Sequence, residues 1–134
     1  MCTAFSFAEN KANASIFEYK KELALTDDQE KNLRGILAKL QDYLTDRTKE
    51  LNGLRAELNK LISDKADMYV IKAKLRAIAQ IQADASCEDI ASSRAIEKEL
   101  TATQLAQWRN KQEEYRKSLQ QAQEAASKAS EARR

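Results

Sequence analysis

Proline and histidine are both absent from this sequence, and glycine occurs only at Gly35 and Gly53. Tight hairpin turns and nucleotide-binding loops depend on glycine and proline, so neither is expected here. Without histidine the chain lacks the usual general base near neutral pH and the commonest transition-metal ligand. We therefore expect long helices, no enzymatic activity, no metal site and no cofactor.

No excess of charge of one sign is present either, because 23 basic and 21 acidic side chains give a net charge of +2. Basic and acidic side chains are interspersed along the chain and form no dense cationic surface, so nucleic acid is not an expected partner. No run approaches the roughly 20 apolar residues that span a bilayer. The two cysteines, Cys2 and Cys87, do not form a disulfide framework. In an oxidising compartment Cys87 could join two protomers, or it could remain an unpaired thiol.

The first eight residues admit two interpretations. Residues 1–8 resemble the end of a secretory signal, with Ser6 and Ala8 spaced like a cleavage site, although a charged start and a full apolar core are missing. They are equally compatible with an ordinary N-terminus. After them we expect a single helical domain over residues 9–127 and a polar tail over residues 128–134.

Leucines spaced by three and four residues predict a long helix from about residue 27 to 62. The seam consists of Leu33, Leu37, Leu40, Leu44, Leu51, Leu54, Leu58 and Leu61. A second seam, with a shifted phase, consists of Met68, Ile71, Leu75 and Ile78. A tip near residues 62–67, with Ser63 or Asp64 capping the second helix, would join the two. A last helix begins near Leu105. The expected fold is all-α, an antiparallel hairpin with flanking helices, about four helices in total.

Several apolar and charged residues lie off these seams and predict a partner-binding face. They are Tyr43, Tyr69, Val70, Lys72, Arg76, Ile81 and Ile90. A simpler explanation remains open, in which neighbouring helices or a second protomer cover the apolar residues. In that case Lys72 and Arg76 form an ordinary solvated helix flank.

One five-residue pattern, Leu-Thr-x-x-Gln, occurs twice. The first copy contains Leu25, Thr26 and Gln29, and the second contains Leu100, Thr101 and Gln104. A threonine followed three residues later by glutamine forms a capping box, in which each side chain bonds to the other residue's backbone N–H. Both copies therefore predict helix starts.

Two such starts around a helical hairpin resemble the Spy/CpxP (LTXXQ) family of periplasmic stress proteins. The resemblance implies a periplasmic, cradle-shaped antiparallel homodimer that acts as an ATP-independent chaperone for unfolded or partly folded proteins. Other branches of the family regulate a membrane sensor through its periplasmic domain, or bind metal ions through histidines that this chain lacks. A structural coiled-coil subunit of an envelope assembly is a further alternative, favoured by the leucine seam.

Overall fold

The computed structural model describes residues 15–134, and all regular structure in that range is helical. A short 3-10 helix, Ser15–Tyr19, leads into α1, Lys20–Leu23, and three long helices follow: α2, Asp27–Ser63; α3, Met68–Glu99; and α4, Ala102–Ala132. The all-α class is confirmed. The interpretations of residues 1–8 and of Cys2 fall outside the described residues. Within residues 15–134, no helix combines the length and the apolar character needed to cross a membrane.

Helices α2 and α3 form the antiparallel hairpin that the leucine spacing predicts. The buried positions of α2 are Leu33, Leu37, Leu40, Leu44 and Leu51. The hairpin turns through residues 64–67, where Lys65 has a positive φ of 53° and the Ala66 N–H donates to the Leu61 carbonyl. Because Ser63 is the last residue of α2 and Asp64 is its C-cap, the expected cap of the next helix at Ser63 or Asp64 is wrong. Asp67 precedes α3 instead, and its side chain makes no capping bond.

Two polar contacts between α2 and α3 show the register of the hairpin. Near the tip, Lys74 Nζ lies 2.5 Å from the Glu57 carboxylate, and near the base Asn32 Nδ2 donates to Glu99 Oε2 at 3.2 Å. The same number of residues separates the two contacts on α2 and on α3. The two helices therefore run alongside each other without a net insertion in either one.

The predicted phase of α3 is partly wrong. Met68 is 73% exposed and Leu75 is 49% exposed, whereas Ile81, predicted off the seam, is buried. Lys74 occupies the position in the packing seam that was expected for Leu75. It is half-buried, and its ammonium reaches Glu57. A lysine can do this because its aliphatic stem packs against apolar neighbours while its charge stays at the surface. Farther along α3 the seam contains buried Asp89 and Ser92, and the helix continues through them.

Most of the buried apolar side chains in residues 15–134 belong to two clusters, and Leu40, Leu44 and Ile71 are buried outside both. The base cluster consists of Ile16, Leu23, Leu25, Leu33, Leu37, Ile96, Leu100 and Trp108. The tip cluster consists of Leu51, Ile78 and Ile81, with Leu54 and Leu58 packed against it. The base cluster joins every helix of the described chain, whereas the tip cluster belongs to α2 and α3 alone.

Among residues 15–134, helix α4 contacts the other helices only through its first turns. Gln104 and Trp108 are buried, Leu105 packs against the base cluster, and Lys111 is partly covered. From Glu114 onward every residue is exposed. The helix nevertheless continues to Ala132, through most of the residues 128–134 expected to form a polar tail.

Candidate functional site

The two Leu-Thr-x-x-Gln motifs lie side by side at the base of the hairpin, although 75 positions separate their glutamines. In the first motif Thr26 Oγ1 accepts from the Gln29 N–H at 3.1 Å, and Gln29 Oε1 accepts from the Thr26 N–H at 3.0 Å. In the second motif the equivalent distances between Thr101 and Gln104 are 3.3 and 2.9 Å. Both predicted capping boxes are therefore present, one beginning α2 and the other beginning α4.

The two glutamine amides also bond to each other. Gln29 Nε2 donates to Gln104 Oε1 at 2.8 Å, and Gln104 Nε2 donates to Gln29 Oε1 at 3.1 Å. Each amide thus bonds its own helix start and the other amide at the same time. We call this reciprocal pair, with its two capping threonines, the glutamine junction.

Three backbone carbonyls complete the glutamine junction. Gln104 Nε2 lies 3.0 Å from the Leu23 carbonyl oxygen and 3.2 Å from that of Ala24, and Gln29 Nε2 donates to the Glu99 carbonyl at 2.8 Å. Ala24 has a left-handed φ of 52°, which ends α1 at this point. The junction therefore joins the ends of α1 and α3 to the starts of α2 and α4. The sequence predicted each cap but not this pairing, for which the only signal was the identity of the two motifs.

The leucines of the two motifs lie in the base cluster beneath the junction. Leu25 is 6% exposed and Leu100 is 8% exposed. Trp108, 2% exposed, lies one turn after Gln104 on α4, and its ring centroid is 6.3 Å from that of Tyr19. In the second motif this burial fits the common packing of the residue before a cap against the helix it starts, because Leu105 packs against the same cluster. In the first motif the equivalent position is Glu30, so Leu25 is buried by the base cluster without that contact.

Ion pairs surround the junction on the solvent side. Lys20 lies 2.5 Å from Glu30 and 2.9 Å from Asp27, and Arg34 lies 2.8 Å from Glu30. Bonding to Glu30 and then to Asp27 raises the pKa of Lys20, while Lys20 and then Arg34 lower the pKa of Glu30. These pairs connect α1 to the first turns of α2.

A second ion pair connects α1 to α4. Lys111 Nζ lies 3.1 Å from Glu22 and 5.1 Å from the centre of the Tyr19 ring. Glu22 is the main cause of the raised pKa of Lys111. Helix α4 is thereby held to α1 by an ion pair and the glutamine junction, and to the preceding 3-10 helix by the contacts of Tyr19.

The residues predicted to form a partner-binding face differ in their exposure. Tyr69 is 79% exposed and Ile90 is 52% exposed, and Lys72 and Arg76 are exposed as well. Val70 and Tyr43 are only partly exposed, and Arg47 covers the Tyr43 ring at 5.5 Å. Ile81 contributes to the tip cluster, so its assignment to an exposed face is wrong.

Residues suited to metal binding are dispersed. Residues 15–134 hold no group of three or more histidine, cysteine, aspartate or glutamate side chains that could bind a metal ion together. Cys87 is an exposed free thiol. Met68, the other soft ligand in this range, begins α3 about five turns from Cys87, or about 28 Å along the axis. The role of Cys87 in an intermolecular disulfide remains a prediction.

The fold and the glutamine junction define a helical domain in which a hairpin and a separate, projecting helix are joined at one base. Comparison with family models matches residues 24–134 to the CusS sensor domain. The chain belongs to the CusS sensor domain family. No curated protein and no solved structure matches the chain.

This match corrects the assignment to the Spy/CpxP family and, with it, the chaperone function inferred from that resemblance. The physical reason lies in the motif itself. A capping box is a local device that can begin any helix. Its duplication here is accounted for by the pairing of Gln29 with Gln104, so two copies carry no further information about function.

Proposed function

We propose that this chain is the signal-sensing domain of a periplasmic sensor-kinase system, acting by binding rather than by catalysis. The family match over residues 24–134 carries this proposal. The CusS sensor domain is the periplasmic part of its parent kinase, which supports the same location for this chain. The chain would then receive a signal and pass it on as a change in helix position.

The geometry favours different roles for the α2–α3 hairpin and for α4. The α2–α3 hairpin offers a long surface for receiving a signal, and α4 projects beyond the base, where it could transmit one. The glutamine junction is the point at which the two parts are coupled, because Gln29 belongs to α2 and Gln104 to α4. A signal that moved the base of the hairpin would therefore displace Gln29 and reorient the first turn of α4.

The metal ion suggested by a metal-responsive kinase does not fit the described residues. A soft-metal site needs several cysteine, methionine or histidine ligands around one ion. The sequence has no histidine, and Met68 and Cys87 are too far apart to share an ion within one chain. We therefore include no metal-binding step in the proposed mechanism.

A chimeric kinase tests the proposal. The chain would replace the sensor domain of a CusS-type kinase, and output would be measured with a transcriptional reporter across a panel of envelope stimuli that includes transition-metal salts. We expect the output to depend on the inserted domain. We also expect Gln104→Ala to change the output, because it removes the bonds that join α4 to the end of α1 and to the start of α2.

Gln80→Ala provides the matched control, since Gln80 is an exposed amide on α3 that bonds to Asp84 one turn away. This variant should respond as the unmodified chimera does. The proposal is wrong if the chimera behaves like a kinase without any sensor domain under all stimuli. An effect of Gln80→Ala equal to that of Gln104→Ala would remove the assigned role of the junction.

A further inference from the structure

The α2–α3 hairpin has two long faces, one on each side of its packing seam. Residues that directly precede a seam position lie on one face, and residues that directly follow one lie on the other. Because the helices are antiparallel, this rule holds for both of them. Asn32 and Glu57 precede Leu33 and Leu58, so their contacts with α3 lie on the first face, which we call the paired face. We call the second face the open face.

The open face collects large apolar side chains that the hairpin leaves exposed. Ile62 is 55% exposed, Met68 73%, Leu75 49% and Ile90 52%. All four lie at positions of the open face, and Tyr69 is the one other large apolar side chain that is exposed on α2 or α3. Exposed apolar residues gathered on one face indicate a contact surface.

The middle of the open face is hollow, because its side chains are small there. A shallow recess is lined by Gln41, Leu44, Thr45, Thr48 and Lys49. The register of the hairpin places Ser86 level with Thr45, and Ala79 lies two turns nearer the tip. Small side chains on both helices form a groove that a third helix can approach closely.

The open face is also free of acidic residues. No aspartate or glutamate occupies its positions between residues 34 and 62 of α2 or between residues 68 and 93 of α3. Arg55 and Lys72 lie on this face, and Arg76, level with Arg55, borders it. None of these three cations forms an ion pair within residues 15–134, whereas Lys74 is paired with Glu57. Unpaired cations on an acid-free face are complementary to an acidic partner.

We propose that the open face binds an amphipathic helix of a partner protein, with acidic side chains beside its apolar stripe. The helix lies in the groove between α2 and α3 and forms a three-helix bundle with them. Between the levels of Met68 and Ile90 the groove is about 33 Å long at 1.5 Å per residue, which accommodates about six helical turns. The exposed apolar side chains hold its stripe, and Arg55 and Lys72 pair with its acids.

The inference goes beyond the proposed sensing function and does not rest on it. It assigns a contact with a second protein to the hairpin, whereas the proposed function concerns transmission through the glutamine junction and α4. Binding is measured with the purified chain, so a negative result would leave the outcome of the chimeric kinase experiment unaffected.

Fluorescence anisotropy with labelled synthetic peptides tests the proposal. The acidic peptide is a six-turn amphipathic helix with leucine and alanine on one stripe and glutamate on both sides of the stripe. The basic peptide has lysine at every glutamate position. We expect the acidic peptide to bind and the basic peptide not to bind at the same concentrations. The affinity for the acidic peptide should fall as salt is added, because salt screens the charges.

Two matched pairs of variants locate the binding site. Lys72→Glu should raise the dissociation constant of the acidic peptide at least about tenfold, because it places like charges together. Lys60→Glu reverses an exposed lysine at nearly the same level of the paired face and should leave the constant unchanged. Ala79→Glu and Ala77→Glu, which flank Ile78 on the open and paired faces, should differ in the same way. Circular dichroism of each variant verifies that the helices are intact.

Equal affinity for the two peptides, no binding of either at millimolar concentration, or equal effects within a pair of variants would overturn the proposal. Two other occupants of the open face would also overturn it. Cosedimentation with phosphatidylglycerol vesicles that Lys72→Glu abolishes would assign the face to a membrane surface. Self-association that Ala79→Glu abolishes and Ala77→Glu does not would assign it to a second copy of the chain.

Discussion

At the scale of single residues, the neutral side chain of Gln104 takes part in several hydrogen bonds at once. It is 7% exposed, it caps α4, and it bonds to the carbonyls of Leu23 and Ala24 as well as to Gln29. Truncation would leave the buried Leu23 carbonyl without its donor, and an unsatisfied buried polar group typically costs about 1 to 3 kcal/mol. Gln104 is therefore the residue on which the base depends most.

Gln104→Ala should lower the free energy of unfolding by about 2 to 3 kcal/mol. Thr26→Ala, which removes one exposed cap, should lower it by about 0.5 to 2 kcal/mol. Urea titration measures both values. A larger loss for Thr26→Ala than for Gln104→Ala would contradict the central position given to Gln104.

A double-mutant cycle tests the amide pair itself. Gln29→Ala and Gln104→Ala should be non-additive, with a coupling of about 1 kcal/mol, because each residue bonds to the other. The pair of Gln80→Ala with Gln104→Ala serves as the comparison and should be additive, since Gln80 lies far along α3. Additivity of the first pair would show that the two amides act independently.

The carboxylate of Glu30 makes the stability of the base depend on pH. Its pKa is lowered from 4.5, first by Lys20 and then by Arg34. A lowered pKa means that the folded state prefers the carboxylate, so this contribution is complete above pH 4.5 and is lost as the pH falls through the lower folded value.

Glu30→Gln should therefore reduce the loss of stability that occurs as the pH falls into the acid range. The dependence of stability on pH near neutrality should stay nearly the same. Melting temperatures measured between neutral and strongly acid pH test this prediction. Because Glu30 lies at the surface, the effect should be small and should weaken in high salt. An unchanged acid side would mean that the ion pairs contribute nothing.

At the scale of elements, the hairpin was largely predictable and the base was not. The leucine spacing predicted α2, and the two motifs predicted the starts of α2 and α4, because both signals are local. The predicted phase of α3 was wrong because Lys74, a charged residue, occupies a seam position next to the apolar Leu75. The contact between Gln29 and Gln104 depends on folding across most of the chain, which no local pattern reveals.

Alanine substitutions in α3 distinguish the observed phase from the predicted one. Ile81→Ala should cost about 2 kcal/mol or more, since it removes a member of the tip cluster. Leu75→Ala should cost less than about 1 kcal/mol, because Leu75 is 49% exposed. Thermal or urea unfolding of the two variants gives the comparison. If Leu75→Ala cost more stability than Ile81→Ala, the result would support the predicted seam through Leu75 instead of the observed one.

At the scale of the whole molecule, two separate clusters imply incomplete cooperativity. Trp108 is the chain's single tryptophan and belongs to the base cluster. Its fluorescence therefore reports on the base, whereas the far-ultraviolet circular dichroism signal averages over all the helices. Only a molecule that unfolds in one step gives coincident transitions by both probes.

We expect the helical signal to begin falling at a lower urea concentration than the Trp108 fluorescence changes. The tip of the hairpin, residues 61–68, and the part of α4 from residue 114 to 132 contain no buried residue. These two segments should therefore open first. Parallel urea titrations followed by the two probes test this. Coincident curves would mean that the tip and base clusters unfold together.

The uninterrupted register between α2 and α3 also limits how such a domain can change length. A single residue inserted into one helix would rotate all later positions of that helix by about 100° and turn its seam away from the other. A compatible insertion must restore the seam and must be matched on the opposite helix, so that Asn32 still reaches Glu99 while Glu57 still reaches Lys74. Relatives with longer or shorter hairpins should therefore differ by about seven residues in both helices at once.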